Sequence, residues 1–265
     1  MIKDATASDD MGSNTNTAKA HFVFIPLMFQ GHLIPATDTA LLLAAHGAVA
    51  SIVVTPSYAV RVRATINLAQ INSGGGGRPL PAVRLVELPL DCAAVGLPDG
   101  ADDVAKLPPD SGTKYFDALA LLREPLERRL RRAAHDDDAP YPTCIVSDPD
   151  FCHPWTTQLA ASLGVPQLAF FSICAFTLLC QHNVERFHSY AGVADDDEMV
   201  VVPGLERRVE VSRAQAPGFF RSVPGFEKLA DDVEQATVDA DGVVVNSFVE
   251  MEPEYVAAYA EARRG

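Results

Sequence analysis

His32 and Asp148 stand in this 265-residue sequence where an open α/β sheet would gather its chemistry. His32 ends the triplet Gln30-Gly31-His32, just after the apolar run HFVFIPLM at residues 21–28, and stands at the start of a helical stretch expected from Leu33 to about His46. Asp148 follows the run TCIVS, residues 143–147, directly. Parallel sheets bind ligands beyond the carboxyl ends of their strands, where loops gather side chains over a crevice. If the two strands are neighbours, imidazole and carboxylate reach the same rim. A helix N-terminus favours neutral imidazole by up to about 1 kcal/mol when exposed and about twice that when partly buried. A carboxylate within hydrogen-bond reach orients the ring and stabilises the cation formed once a proton is taken. Such a pair suits a general base aimed at a substrate hydroxyl, a contribution of roughly 10²- to 10⁴-fold in rate. A lone His at a helix start and a lone Asp at a strand end are also ordinary packing residues, and spacing alone does not choose.

The elements that must position this pair form a repeating strand-then-helix rhythm. After the run at 21–28, AVASIVVT (48–55) precedes a helix starting near Ser57, and TCIVS precedes one near Pro154. QLAFF (167–171) precedes another, and GVVVN (242–246) leads into a last helix through Glu261. VRLVEL (83–88) reads as a further strand. Strands apolar along their whole length are buried on both faces, and their alternation with helices implies a parallel sheet covered on each side. The sequence therefore predicts an α/β fold, a Rossmann-like doubly wound parallel sheet, over residues 21–265, after a floppy polar leader at 1–20. The glycine run 74–77 follows a polar helix end and reads as a surface linker, not a phosphate cradle. Two long Pro-, Gly- and Asp-rich connections, 89–109 and 195–224, have the length of loops that line a site or move.

Composition narrows the partners. A net charge of −14 repels a phosphate backbone, and the short basic run 128–132 reads as a solvated helix face leading into Asp136, so no nucleic-acid partner is expected. The five cysteines are odd in number and lack C-x-x-C spacing, which argues against a disulfide framework or a zinc site and fits a reducing, cytoplasmic setting. His182 and His188 are six apart, not the three or four of a shared helical metal site, and read as ordinary helix residues. No apolar stretch reaches the 18 or so residues needed to cross a bilayer. A G-x-G-x-x-G turn and a G-x-S-x-G elbow are both missing, against a nicotinamide oxidoreductase and a serine hydrolase. Phe151, Phe176, Phe187 and Tyr190 are candidates for an aromatic-lined pocket, or for core.

Pro26-Leu27-Met28-Phe29-Gln30-Gly31-His32-Leu33-Ile34-Pro35 resembles the P-x-x-x-Q-G-H-x-x-P signature of plant secondary-product UDP-dependent glycosyltransferases. Cys144 to Asp148, Pro154-Trp155-Thr156, Gly164-Val165-Pro166, Val202-Pro203-Gly204-Leu205 and Gln215-Ala216-Pro217 follow in that family's order. So does the most distinctive stretch, Gly242-Val243-Val244-Val245-Asn246-Ser247-Phe248 with Glu250 and Glu252. The resemblance implies the acceptor-binding, N-terminal domain of a GT-B enzyme. His32 would deprotonate a hydroxyl of a small apolar acceptor such as a flavonoid, phenolic, terpenoid or hormone. The oxygen would attack the sugar carbon of a UDP-sugar, usually UDP-glucose, with inversion, while an aspartate holds the imidazolium. No metal or resident cofactor is implied, since the UDP-sugar is a co-substrate. Ser172, after the strand ending at Phe171, carries over as a donor contact. Two departures stand out. The family places Trp five residues after the aspartate, whereas Trp155 lies seven after Asp148 and five after Asp150, so Asp148 is favoured by the strand end and Asp150 by the helix. The family's W-x-P-Q and H-C-G-W-N-S segments, which grip the donor in a second domain, have no counterpart in these residues. The chain by itself is accordingly expected to transfer sugar poorly, and a non-catalytic module that binds a small molecule or a partner is the competing reading.

Overall fold

The central apolar runs become strands because both their faces find cover. A computed structural model describes residues 19–73, 83–108, 111–136, 139–149, 155–216 and 227–263. Its strands are β1 His21–Ile25, β2 Val49–Val54, β3 Arg84–Glu87, β4 Cys144–Ser147, β5 Gln167–Phe171, β6 Val200–Val201, β7 Glu210–Val211 and β8 Gly242–Val245. Six of them form one sheet in the order β3-β2-β1-β4-β5-β8, every neighbouring pair parallel. Val23, Phe24, Ile52, Val53, Ile145 and Val146 form its buried centre. The edge strands β3 and β8 are only partly buried. The chain runs outward from β1 to β3, then returns to β4 on the other side of β1. Chain direction thus switches between β1 and β4, where a doubly wound sheet opens its crevice.

The helices are α1 Gln30–Ala45, α2 Pro56–Ser73, α3 Gly112–Ala120, α4 Arg123–His135, α5 Trp155–Leu163, α6 Ala175–Arg186, α7 Glu227–Asp239 and α8 Pro253–Ala262. β1 is shorter than the apolar run that announced it. Pro26 has no N–H for the ladder, and Phe29 N–H turns back to the Leu27 carbonyl at 2.7 Å, although Leu27 and Met28 stay buried. Helix α1 consequently begins three residues before the expected Leu33, with His32 in its first turn. On α4 the leucines Leu126 and Leu130 face the core while Arg128, Arg129 and Arg132 are exposed, a solvated basic face. Arg131 instead reaches Glu127 and the Ser162 carbonyl of α5. His182 lies within α6, but His188 lies beyond its end with φ +50°, correcting the expectation that both are helix residues.

The described parts of the two long connections, 89–108 and 195–216, are more ordered than their composition suggests. Within 89–108, Cys92 and Leu97 are buried, and Asp102 accepts hydrogen bonds from Ser57 N–H (2.9 Å) and Ser57 Oγ–H (2.5 Å), capping α2 from a distance. Within 195–216, β6 and β7 form an antiparallel hairpin packed on Cys180 and Val184 of α6. The Val202-Pro203-Gly204-Leu205 motif lies between these two strands. Asn183 Nδ2 donates to the Pro203 carbonyl at 2.8 Å, and Gly204 has φ +73° with its absent Cβ only 3.1 Å from that Nδ2. A side chain there would meet both strain and a clash, so the glycine is structural. The glycine run 74–77, residues 1–18 of the leader, Asp150, Phe151 and Pro217 lie outside the described residues.

His21 begins β1 fully buried, with Nδ1 2.7 Å from the Pro140 carbonyl and Nε2 2.8 Å from Ser51 Oγ. Burial lowers its pKa, the Pro140 carbonyl works against the shift, and the Arg84 charge adds to it. The unfolded chain titrates this imidazole near its ordinary value of about 6.5 and so takes up a proton that the fold refuses. Stability is therefore complete above that value and lost below it. Melting temperature is expected to fall from about pH 7.5 to about pH 5.5, and His21→Gln should flatten the slope. An unchanged slope in that variant would remove His21 from the account. His182, lowered chiefly by burial, pushes in the same direction.

Candidate functional site

The rim is built from the register upward. Ile25 of β1 pairs with Ser147 of β4, and Asp148 N–H donates to the Ile25 carbonyl at 3.1 Å, carrying the ladder one residue past the strand. Asp148 is thereby fixed at the end of its strand and is 2% exposed. Ser147 just before it is pinned by Gln167 of β5, whose Nε2 donates to Ser147 Oγ (2.8 Å) and to Thr156 Oγ1 of α5 (2.9 Å). All three residues are buried, so the network ties β4, β5 and the helix after Asp148 together.

His32 enters from β1 through the turn at Leu27 to Phe29. Its N–H donates to the Phe29 carbonyl at 3.0 Å as α1 begins, and the helix has no side-chain cap. Its imidazole Nδ1 lies 2.5 Å from Asp148 Oδ2, with the His32 side chain 22% exposed and the carboxylate closed in. Ser172 Oγ, from the loop after β5, lies 3.1 Å from the same Nδ1. An ionised carboxylate only accepts, so Nδ1 carries the proton and donates it to Asp148. Nε2 is then the nitrogen that carries the lone pair. The serine hydroxyl oxygen takes a lesser share of the Nδ1–H.

The fold thus brings together His32, Asp148 and Ser172, from three adjacent strand ends. Of the aromatic candidates, Phe176 stacks edge-on with Tyr255 at 4.8 Å, Tyr190 packs against the hairpin cluster, and Phe187 is exposed beside Arg186. Among the described residues a ring that does lie near His32 is Phe29, 6.3 Å between centroids, which the sequence offered only as part of a motif. A groove of about 150 Å³ lies between α1 and α2, bordered by Gln30, Leu33, Tyr58 and Arg61, too small for a drug-sized ligand. Among the described residues, no group of three or more His, Cys, Asp or Glu is placed to hold a metal ion. Among them too, no helix is long and apolar enough to cross a membrane.

On the far side of Ser172, Glu252 is buried at the start of α6. It accepts from Ala175 N–H (2.8 Å), Phe176 N–H (3.0 Å) and the Ser247 hydroxyl. Burial alone would raise its carboxyl pKa, but the Ser247 hydroxyl and the two backbone donors outweigh it and hold the group below the usual range. Glu252 was part of a quoted motif, but nothing in the sequence gave it a partner.

No protein-family model matches the chain. Individual relatives do. It is 37% identical over 245 residues to UDP-glycosyltransferase 73D1 of Arabidopsis thaliana, an alignment covering 92% of this chain and 46% of that protein. It is 39% identical over 248 residues to UDP-glycosyltransferase 73E1 of Stevia rebaudiana, covering 90% and 46%. Its fold is similar to that of Glycyrrhiza uralensis UGT73P12, solved with glycyrrhetinic acid 3-O-monoglucuronide, at TM-score 0.73 and 26% identity over 93% of this chain and 47% of that one. The chain spans about half the length of the relatives it matches. With a similar fold and 37 to 39% identity over alignments that cover nine-tenths of its length, the chain is homologous to plant UDP-glycosyltransferases, and the match is consistent with the N-terminal half of such proteins.

Proposed function

We propose that these residues are the acceptor-binding half of an inverting UDP-glycosyltransferase, with His32 as its general base, Asp148 as the partner of that base and Ser172 beside it at the donor side. The observation that carries the reading is the 2.5 Å contact between His32 Nδ1 and Asp148 Oδ2 at the switch point of the sheet. Nε2 takes the proton of an acceptor hydroxyl as that oxygen bonds to the anomeric carbon. The bond from this carbon to the UDP oxygen breaks on the opposite face, and UDP leaves with the electron pair. Imidazolium forms against a carboxylate already in contact, so the charge is met without reorganisation. Proton abstraction by an imidazole calls on no metal and no resident cofactor, and the UDP-sugar is a co-substrate. A hydroxylated, largely apolar small molecule is the acceptor class this reading takes, with the cytoplasm as its setting.

The test joins this sequence to the C-terminal half of a relative such as UDP-glycosyltransferase 73E1 and supplies UDP-glucose with a panel of phenolic and terpenoid alcohols. A glycoside dependent on the UDP-sugar is the expected product. A folded chimera that releases no glycoside from any of them, while the parent relative does, would sink the reading and favour a binding module.

A further inference from the structure

Asn246-Ser247-Phe248 and Glu252 form the most distinctive stretch of family resemblance late in the sequence, and proton transfer at His32 gives it no task. Its contacts converge on one short loop. β5 ends at Phe171 and α6 begins at Ala175, so residues 172–174 bridge the two, and Cys174 supplies no side-chain cap for the helix. The first N–H groups of a helix have no partner within it. Here Ala175 N–H and Phe176 N–H are met by the two oxygens of Glu252, and the buried negative charge also suits the positive end of α6. At the loop's other end, Asn246 Nδ2 donates to the Ser172 carbonyl at 3.1 Å, and Asn246 N–H donates to the Phe171 carbonyl at 2.9 Å. Ser247 holds the Glu252 carboxylate in turn. Both ends of the loop are therefore gripped by one segment 74 to 77 residues further along the chain. With its backbone fixed so, Ser172 sets its hydroxyl 3.1 Å from His32 Nδ1.

We propose that Asn246 and Glu252 are positioning residues which hold the Ser172 hydroxyl against the His32 imidazole. The proposal rests on the reading of His32 as the base and deepens it. Neither residue touches the reacting atoms. They act through the loop, and the segment between β8 and α8 thereby becomes part of what fixes the electronic surroundings of Nδ1. A purely structural cap would stabilise α6 but leave the imidazole indifferent.

The experiment is nitrogen NMR of the imidazole of His32 in the isotopically labelled chain at neutral pH, with circular dichroism as the check on folding. Ser172→Ala, Asn246→Ala and Glu252→Gln are each expected to move the Nδ1 signal in the same direction. Neither Asn246→Ala nor Glu252→Gln should move it further once Ser172 is alanine, because their effect runs through that hydroxyl. In the two-half chimera, Glu252→Gln is expected to lower kcat on the order of tenfold with acceptor KM little changed, the signature of a misplaced group. A signal that stays put in both variants overturns the proposal, as does an equal shift with Ser172 already removed. Asn246 is exposed, so Asn246→Ala carries the test alone if Glu252→Gln fails to fold. Failure here leaves the base assignment standing, since that is decided by the loss of turnover in His32 variants.

Discussion

His32→Ala, placed in a chimera that carries both halves, is expected to lower kcat by about 10²- to 10⁴-fold while the acceptor KM changes little. Only the imidazole among the three clustered groups can take a proton near neutral pH at Nε2 while its other nitrogen is held. Removing it also leaves a carboxylate, 2% exposed, without its imidazole, which threatens the fold and not only the chemistry. His32→Gln separates the two effects. Its amide can still donate toward Asp148 but has no lone pair basic enough to serve. Steady-state kinetics on both variants, with melting temperature alongside, make the measurement. Equal losses in both, with His32→Gln as stable as the parent, identify proton abstraction as what was lost. Turnover at the parent rate in a stable His32→Gln would end the assignment.

The sheet was legible because burial on both faces leaves a mark on every residue of a central strand. HFVFIPLM, AVASIVVT and QLAFF read as strands, and the structure places β1, β2 and β5 within them. What the runs could not convey was where a strand stops. Pro26 and the Leu27–Phe29 turn end β1 while the burial, and hence the apolar signal, continues to Met28. Helix α7 escaped notice since EKLADDVEQATVD carries much charge and few large apolar side chains. The hairpin of β6 and β7 escaped for another reason. Strands two residues long sit in a Pro- and Gly-rich stretch, and the turn between them is held from outside, by Asn183 on the Pro203 carbonyl.

The site divides the same way. His32 and Asp148 could be named because each adjoins the end of an apolar run, and a sheet rim is where such residues meet. Their adjacency was conditional on β1 lying beside β4, a pairing that residue types do not encode and that the strand order β3-β2-β1-β4-β5-β8 supplies. Gln167 and Glu252 could not be placed. Gln167 braces the residue before Asp148 by bonding a serine and a threonine, and Glu252 bonds two backbone N–H groups. A main-chain partner leaves no signature in the sequence, and a side-chain partner on a neighbouring strand or helix is fixed only by the packing, so such supports emerge only when the fold is known.

Asp148→Asn should cost nearly as much as losing the histidine, on the order of 10³-fold in kcat, although the side chain keeps its size and nearly its shape. A carboxylate can only accept, which puts the proton of neutral His32 on Nδ1 and the lone pair on Nε2. An amide at the same place can turn its NH₂ toward Nδ1, and the preferred tautomer then carries its proton on Nε2. The base points the wrong nitrogen at the acceptor, and the imidazolium that forms meets a dipole where it had met a charge. Asp148→Ala removes the orientation without imposing the wrong tautomer, so it is expected to be no worse than Asp148→Asn, an order that plain loss of attraction would not produce. The same pair of substitutions at Asp150 decides between the two aspartates that the Trp155 spacing left in competition. If Asp148 is the partner, Asp150→Asn leaves kcat close to that of the parent. A collapse of turnover in Asp150→Asn with Asp148→Asn unharmed would transfer the role to Asp150 and make the 2.5 Å contact at the β4 end a structural one.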